Sequence, residues 1–144
     1  MYKIVKFDTS DKELSKLAFE IRNEVFVIQQ SVDPKLEYDE FEDVAIHYLA
    51  FLDNKAVATA RWRHTEKGIK LERFATLEDW RNKGAGTAIL SEVMKDVLHH
   101  PAIIYLHAQL PAIPFYERHG FIQEGEIFYE AEMAHYKMIY SEKK

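Results

Sequence analysis

Residues 81–87, Arg81-Asn82-Lys83-Gly84-Ala85-Gly86-Thr87, join a strand-like run over 69–76 to an amphipathic helical run over 87–98. A basic, glycine-bearing turn that opens a helix can bind an anion. The first amides of a helix have no partner within it, and the peptide dipoles add partial positive charge there. Gly84 and Gly86 carry no Cβ, so a phosphate can come close to the backbone. The Walker pattern Gly-x-x-x-x-Gly-Lys-Ser/Thr is absent. The dinucleotide fingerprint also fails. Its third glycine position is Ile89, and Leu106 and His107 stand where an acidic residue is expected. What remains, Arg81-x-x-Gly84-x-Gly86, fits either a phosphate cradle or a plain strand-to-helix turn.

Other residue types narrow the chemistry by what they offer and what they lack. There is no cysteine in the 144 residues, which removes disulfides, thiolate zinc sites and a cysteinyl nucleophile. Seven histidines are scattered without metal-ligand spacing. The net charge of −5 argues against a nucleic-acid partner. No apolar run approaches the ~20 residues that span a bilayer, and the first residues lack the apolar core of a signal peptide. The expectation is a soluble cytoplasmic protein. Residues 35–43 hold Glu37, Asp39, Glu40, Glu42 and Asp43; the expectation there is a solvated loop, with attraction of a cationic amine as the other reading.

The elements that must position these groups follow from periodicity. Residues 2–7 alternate as a half-buried strand. Ser10 and Glu13 have capping-box spacing, and Leu14, Leu17, Ala18, Ile21, Val25 and Ile28 then follow helical spacing to about Gln30, before Asp33-Pro34. Runs over 45–52 and 55–64 form a hairpin about Asp53-Asn54. A strand over 102–107, a short helix over 113–119 ending at Gly120, and strands over 121–129 and 135–140 complete the order β-α-β-β-β-α-β-α-β-β. The unit 69–107 should be a right-handed parallel crossover. Residues 1–144 form a single domain.

A second stretch complements the glycine turn. Arg81-x-x-Gly84-x-Gly86 together with Gln109-x-x-Ala112-x-x-Phe115-Tyr116-Glu117-x-x-Gly120-Phe121 resembles the two cofactor-binding motifs of the GNAT superfamily of N-acetyltransferases. The segments 22–30 and Glu126-x-x-x-x-Glu130-x-x-x-x-His135 are similar to the small ElaA-like branch. The resemblance implies an α/β (α+β) domain: a mixed, mostly antiparallel sheet of about 6–7 strands flanked by helices, with a central splayed parallel pair. It also implies acetyl-coenzyme A as cofactor. The pyrophosphate would rest on the amides of Arg81, Asn82, Lys83, Gly84, Ala85, Gly86 and Thr87, and the pantetheine arm beside Phe74, Ala75 and Thr76. An N–H at or near Ala75 would face the oxyanion.

Several residues keep two readings. Tyr116 suits a general acid for the departing thiolate, or else packs. Gln109 binds cofactor or backbone, and Phe115 packs beside the cofactor. Arg81 and Lys83 assist the phosphates or lie on the surface. Glu72 is either the base that deprotonates the amine or, beside Arg73, a carboxylate in an ion pair or solvated at a strand end; His135 and His47 are lesser candidates for the base, since a lone strand histidine is usually structural. The implied reaction is acetyl transfer to a primary amine of a small molecule or peptide by direct attack. A non-catalytic acyl-coenzyme A sensor is the other reading, and a homodimer is an expectation by analogy.

Overall fold

The computed structural model describes residues 1–141. A sheet of order β1-β2-β3-β4-β5-β7-β6 runs through it. Its strands are β1 (Lys3–Phe7), β2 (Ile46–Leu52), β3 (Lys55–Thr65), β4 (Gly68–Thr76), β5 (Ile104–Gln109), β6 (Phe121–Glu130) and β7 (Met133–Tyr140). All neighbours pair antiparallel except β4 and β5. The expected parallel crossover is therefore the β4–β5 unit. Asp53 and Asn54 both adopt positive φ, 49° and 72°, as a two-residue hairpin turn between twisted strands requires.

The helices divide between the two faces. Helix α1 (Lys12–Arg22) buries Ala18 and Ile21 with Phe7, Leu49 and Ala75 on one face. Helix α3 (Ala85–Val97) buries Ile89, Leu90, Val93 and Val97 on the other, against Tyr48, Ala58, Trp62, Ile69 and Leu106. The period-2 alternation of β2 explains the division, because Tyr48 and Ala50 face α3 while Leu49 faces α1.

Several sequence boundaries are corrected. Asp11 rather than Ser10 caps α1, accepting from the Leu14 amide at 3.1 Å, because Asp8 captures the amide of Ser10 at 2.9 Å. The helix expected to reach Gln30 changes at Asn23 into π-helical turns over Asn23–Gln29. The loop expected over 35–43 begins as a short helix, α2 (Pro34–Glu37), with Asp33 as its cap and Pro34 in its first turn. Helix α3 starts at Ala85, earlier than expected, since Gly84 takes φ 90° and turns the chain directly into it. Strand β5 lies two residues later than read, and α4 (Ile113–Glu117) is preceded by a 3-10 turn over Leu110–Ala112.

Candidate active site

The site begins as a defect in β4. Arg61 pairs with Glu72 and Thr59 with Ala75, so a two-residue step on β3 faces a three-residue step on β4. The extra residue is a bulge, and Arg73 sits in it at φ 60°, a conformation that costs a non-glycine residue roughly 1–3 kcal/mol. Its guanidinium is anchored at Leu36 O (3.1 Å), Glu37 O (3.2 Å) and Asp39 (3.1 Å), which holds the bulge in place. Parallel pairing between β4 and β5 stops at Leu71↔Leu106. Beyond it, Phe74, Ala75 and Thr76 diverge from residues 107–109. The facing backbone edges lack a ladder partner there, so an extended, amide-bearing chain could bond to them as a strand would.

The glycine turn lies at one mouth of this gap. None of the amides of residues 82–87 has a hydrogen-bond acceptor among the described residues; the first bond of α3 runs from Ala88 N to Gly84 O at 3.0 Å. Asn82 and Gly84 have positive φ, 63° and 90°, and these turns aim the amides outward. A Cβ on Gly86 would come within 3.4 Å of the Phe115 ring. Arg81 reaches Thr76 O at 2.9 Å and Gln29 Oε1 at 2.7 Å, so it braces the turn. Lys83 bonds Asp79 O and lies over the Trp80 ring, exposed, as a surface cation would. Thr87 is 3.4 Å from His119 Nε2.

Deeper in, Tyr116 is buried between Phe74, Phe115 and Phe121, each in edge-to-face contact with it. Its hydroxyl has no hydrogen-bond partner among the described residues, and Tyr116 lines the cavity. Burial pushes the phenol well above its ordinary range, so it stays protonated and able to donate. Gln109 Nε2 donates to Gln30 Oε1 at 3.0 Å across the groove. Together these residues line one cavity of about 800 Å³ that passes through the splay from the α3 face to the α1 face.

On the α1 face the surroundings are ionic. Arg61, fully buried, bonds Glu72 Oε2 through Nε (2.8 Å) and Asp39 through both terminal nitrogens (3.0 and 2.8 Å). Arg22, also buried, holds Glu37 through Nε (3.0 Å) and Glu42 through its terminal nitrogens (2.9 and 2.7 Å). Arg63 adds a 2.7 Å bond to Glu72 and covers the Phe41 ring at 3.7 Å. The solvated loop expected over 35–43 is thus corrected: Glu37, Asp39 and Glu42 turn inward onto arginines from α1, β3 and β4. Burial opposes ionisation of Asp39, yet the hydrogen bonds and charge of Arg61 prevail and hold it down to about 2. Glu72 lies in the same balance. Burial raises it, but Arg61, Arg63 and Lys70 together leave it below the usual carboxylate range. Of its sequence readings the geometry shows an ion pair, but with Arg61, Arg63 and Lys70 in place of Arg73, which turns to Glu37 and Asp39; so strongly held a carboxylate is a weak base.

The Acetyltransferase (GNAT) domain model matches residues 8–142. The chain belongs to the GNAT acetyltransferase family. An uncharacterized N-acetyltransferase of Bacillus subtilis, YjcF, is 36% identical over 132 residues, covering 90% of this chain and 94% of that protein. Among solved structures, Escherichia coli ElaA superposes with a TM-score of 0.86 at 24% identity, covering 98% of this chain and all of ElaA. An acyl-CoA N-acyltransferase from Pseudomonas aeruginosa gives 0.84 at 25% identity, covering 98% of this chain and 100% of that one. As a GNAT member the protein is an N-acetyltransferase with an acyl-CoA cosubstrate.

The candidate site contains residues to which the sequence reading gave no role. Gln29 and Gln30, at the end of the π-helical turns, tie α1 to the glycine turn and to β5. Arg22, Arg61 and Arg63 carry the ionic floor. A signal for the last two existed: Arg61 and Arg63 alternate with apolar residues in a central strand, and a cation there needs buried carboxylate partners. Among the described residues, no helix is long and apolar enough to cross a membrane.

Proposed function

We propose that the protein transfers an acetyl group from acetyl-CoA to a primary amine of a small molecule or peptide, by direct attack in a ternary complex. The observation that carries this reading is the continuity of the cavity: outward amides of residues 82–87, the unpaired edges of β4 and β5, and the free Tyr116 hydroxyl all line or border one passage. The chain's free donors fit a pyrophosphate, and the splay fits an amide-bearing arm; the cosubstrate, when bound, supplies the activated thioester.

In this reading the amides of Asn82, Lys83, Gly84, Ala85, Gly86 and Thr87 hold the phosphates, with the Thr87 hydroxyl beside them; the Arg81 amide, expected among them, is taken by Glu78 O at 3.3 Å. Phe74, Ala75 and Thr76 bind along the arm, and an N–H at or near Ala75 stabilises the oxyanion. Gln109 and Phe115 border the arm from β5 and α4. Tyr116 donates its proton to the departing sulfur. The acceptor enters from the α1 face, where Asp39, Glu72 and Glu130 line the cavity. Having no cysteine, the chain has no thiol to carry an acyl intermediate, so reactants held side by side provide the acceleration.

The test is thiol release from acetyl-CoA against a panel of amines, amino sugars, polyamines and peptides. Amine-dependent release is expected, with Tyr116→Phe lowering kcat about 10²-fold at unchanged acetyl-CoA affinity. Tight acetyl-CoA binding without release across the panel would favour the sensor reading, and full turnover by Tyr116→Phe would remove the general-acid role.

A further inference from the structure

An alkylammonium acceptor must lose a proton before it attacks, and Glu72 is held by Arg61, Arg63 and Lys70. A differently prepared group stands across the splay. His135 on β7 pairs in register with Gln109 at the end of β5, and it lines the same cavity with His107 and Glu130. Only 6% exposed, its ring stacks on Phe128 at 5.8 Å. Nδ1 lies 2.8 Å from Met133 O. A carbonyl can only accept, so the ring proton sits on Nδ1 and the lone pair on Nε2. That Nε2 makes no hydrogen bond among the described residues, and it is not sealed from the cavity. Its charged neighbour is Glu130 Oε1 at 3.9 Å. The other oxygen of Glu130 bonds His107 Nδ1 at 2.9 Å, and this bond chiefly keeps Glu130 ionised. His47, the other buried histidine, differs: its Nε2 is taken by Glu42 O at 2.9 Å, and it does not line the cavity.

We infer that His135 Nε2 accepts the proton of the amine acceptor, with Glu130 as the positioning residue that stabilises the resulting imidazolium. This rests on the acetyl-transfer reading above. Nε2 takes one proton from the ammonium. The freed nitrogen lone pair forms the C–N bond to the thioester carbon, and the C=O π pair moves to oxygen. When that pair returns, the C–S bond breaks with its electrons on sulfur. Tyr116 protonates the sulfur and is itself reprotonated by the second proton of the nitrogen. Products are the amide, the thiol and one proton, which leaves His135 for solvent. The charged or titratable groups around His135 are Glu130 from β6, His107 from β5 and, through Glu130, Lys70 from β4.

Two measurements test it. Nitrogen NMR of the imidazoles in the intact protein, at a pH where His135 is neutral, should show the Nδ1–H tautomer; an Nε2–H tautomer overturns the proposal without any acceptor being needed. In the thiol-release assay, with an amine that the unmodified protein acetylates, His135→Gln should lose about 10²-fold in kcat near neutral pH at unchanged acetyl-CoA affinity. The deficit should shrink as pH rises and free amine forms in solution. Glu130→Gln should keep the plateau rate but move the acidic limb of the profile to lower pH, because the imidazolium loses its counter-charge. Wild-type rate and profile in His135→Gln would overturn the role of His135 alone. Absence of turnover with every amine in the unmodified protein would instead sink the acetyl-transfer reading. Should His135→Gln fail to fold, the tautomer decides.

Discussion

At the glycine turn the amides of residues 82–87 are left without partners, whereas on the α1 face Arg22, Arg61, Arg63, Arg73 and Lys70 are each matched to Glu37, Asp39, Glu42 or Glu72. The first region withholds hydrogen bonds from the protein and offers them outward. The second closes its bonds within the protein and has little left for a ligand. The difference suits them to different work: the turn has hydrogen bonds free for a ligand, and the ionic floor fixes the bulge at Arg73. Perturbing the turn should therefore change affinity more than stability, and perturbing the floor the reverse.

The sharpest break in that contrast is Arg61→Ala. Removing it leaves buried Glu72 and half-buried Asp39 beside a void, and loss of one member of a buried ion pair costs about 3–5 kcal/mol. Urea unfolding should report it as a lowered midpoint. A change under about 1 kcal/mol would mean that the floor is not a stability element, since that is the scale of an exposed pair.

On the opposite side, Gly84→Val puts a branched side chain at φ 90° and covers the amides. A loss of at least about tenfold in acetyl-CoA affinity is expected by calorimetry, with roughly 1–2 kcal/mol of strain appearing in stability. If affinity stayed the same, the turn would not be the phosphate site.

Acid should separate the regions as well. Asp39, with its folded value about 2 against an ordinary 3.8, contributes stability that is complete above 3.8 and is lost as pH falls through about 2. Glu42 and Glu72 are shifted in the same direction, so they also stabilise at higher pH and lose that contribution on acidification. Circular dichroism from pH 5 to pH 2 should show progressive loss of thermal stability, and Asp39→Asn should flatten the steepest part. An unchanged acid profile in that variant would detach Asp39 from the network's stabilising role.

The smallest effect belongs to Lys83→Ala. Its ammonium is already engaged by Asp79 O and the Trp80 face, so acetyl-CoA affinity should drop only a few-fold, and less at high salt. A loss as large as that of Gly84→Val would shift the weight of phosphate binding from backbone to side chain.

The two regions also differed in how far they could be read in advance. The glycine turn is local: strand, Gly84, Gly86 and amphipathic helix lie within one stretch, and only the starting residue of α3 needed correction. The carboxylates of residues 37–43 looked like a solvated charge run, because nothing nearby in sequence neutralises them; Arg61 lies 22 residues from Asp39, and Arg73 lies 36 from Glu37. Ser10 was displaced as a cap for a local reason of the kind sequence patterns leave open, since Asp8 competes for its amide. His135, a lesser candidate for the base in the sequence, gained its case only in the fold, where Nδ1 lies at Met133 O and Glu130 stands 3.9 Å from Nε2.

The sequence by itself determined the strand order with its two principal helices, the apolar face of each of those helices, and a glycine-bearing turn before the second of them. Those depend on periods of 2 and 3.6 and on the φ freedom of Gly84, all properties of neighbouring residues. Only the tertiary structure decided that β4 bulges at Arg73 and parts from β5, that Glu72 is an ion-pair partner, and that Gln30 meets Gln109 across the gap. Those depend on charges and hydrogen-bonding groups far apart in the chain, which find one another only when burial makes an unpaired polar group costly.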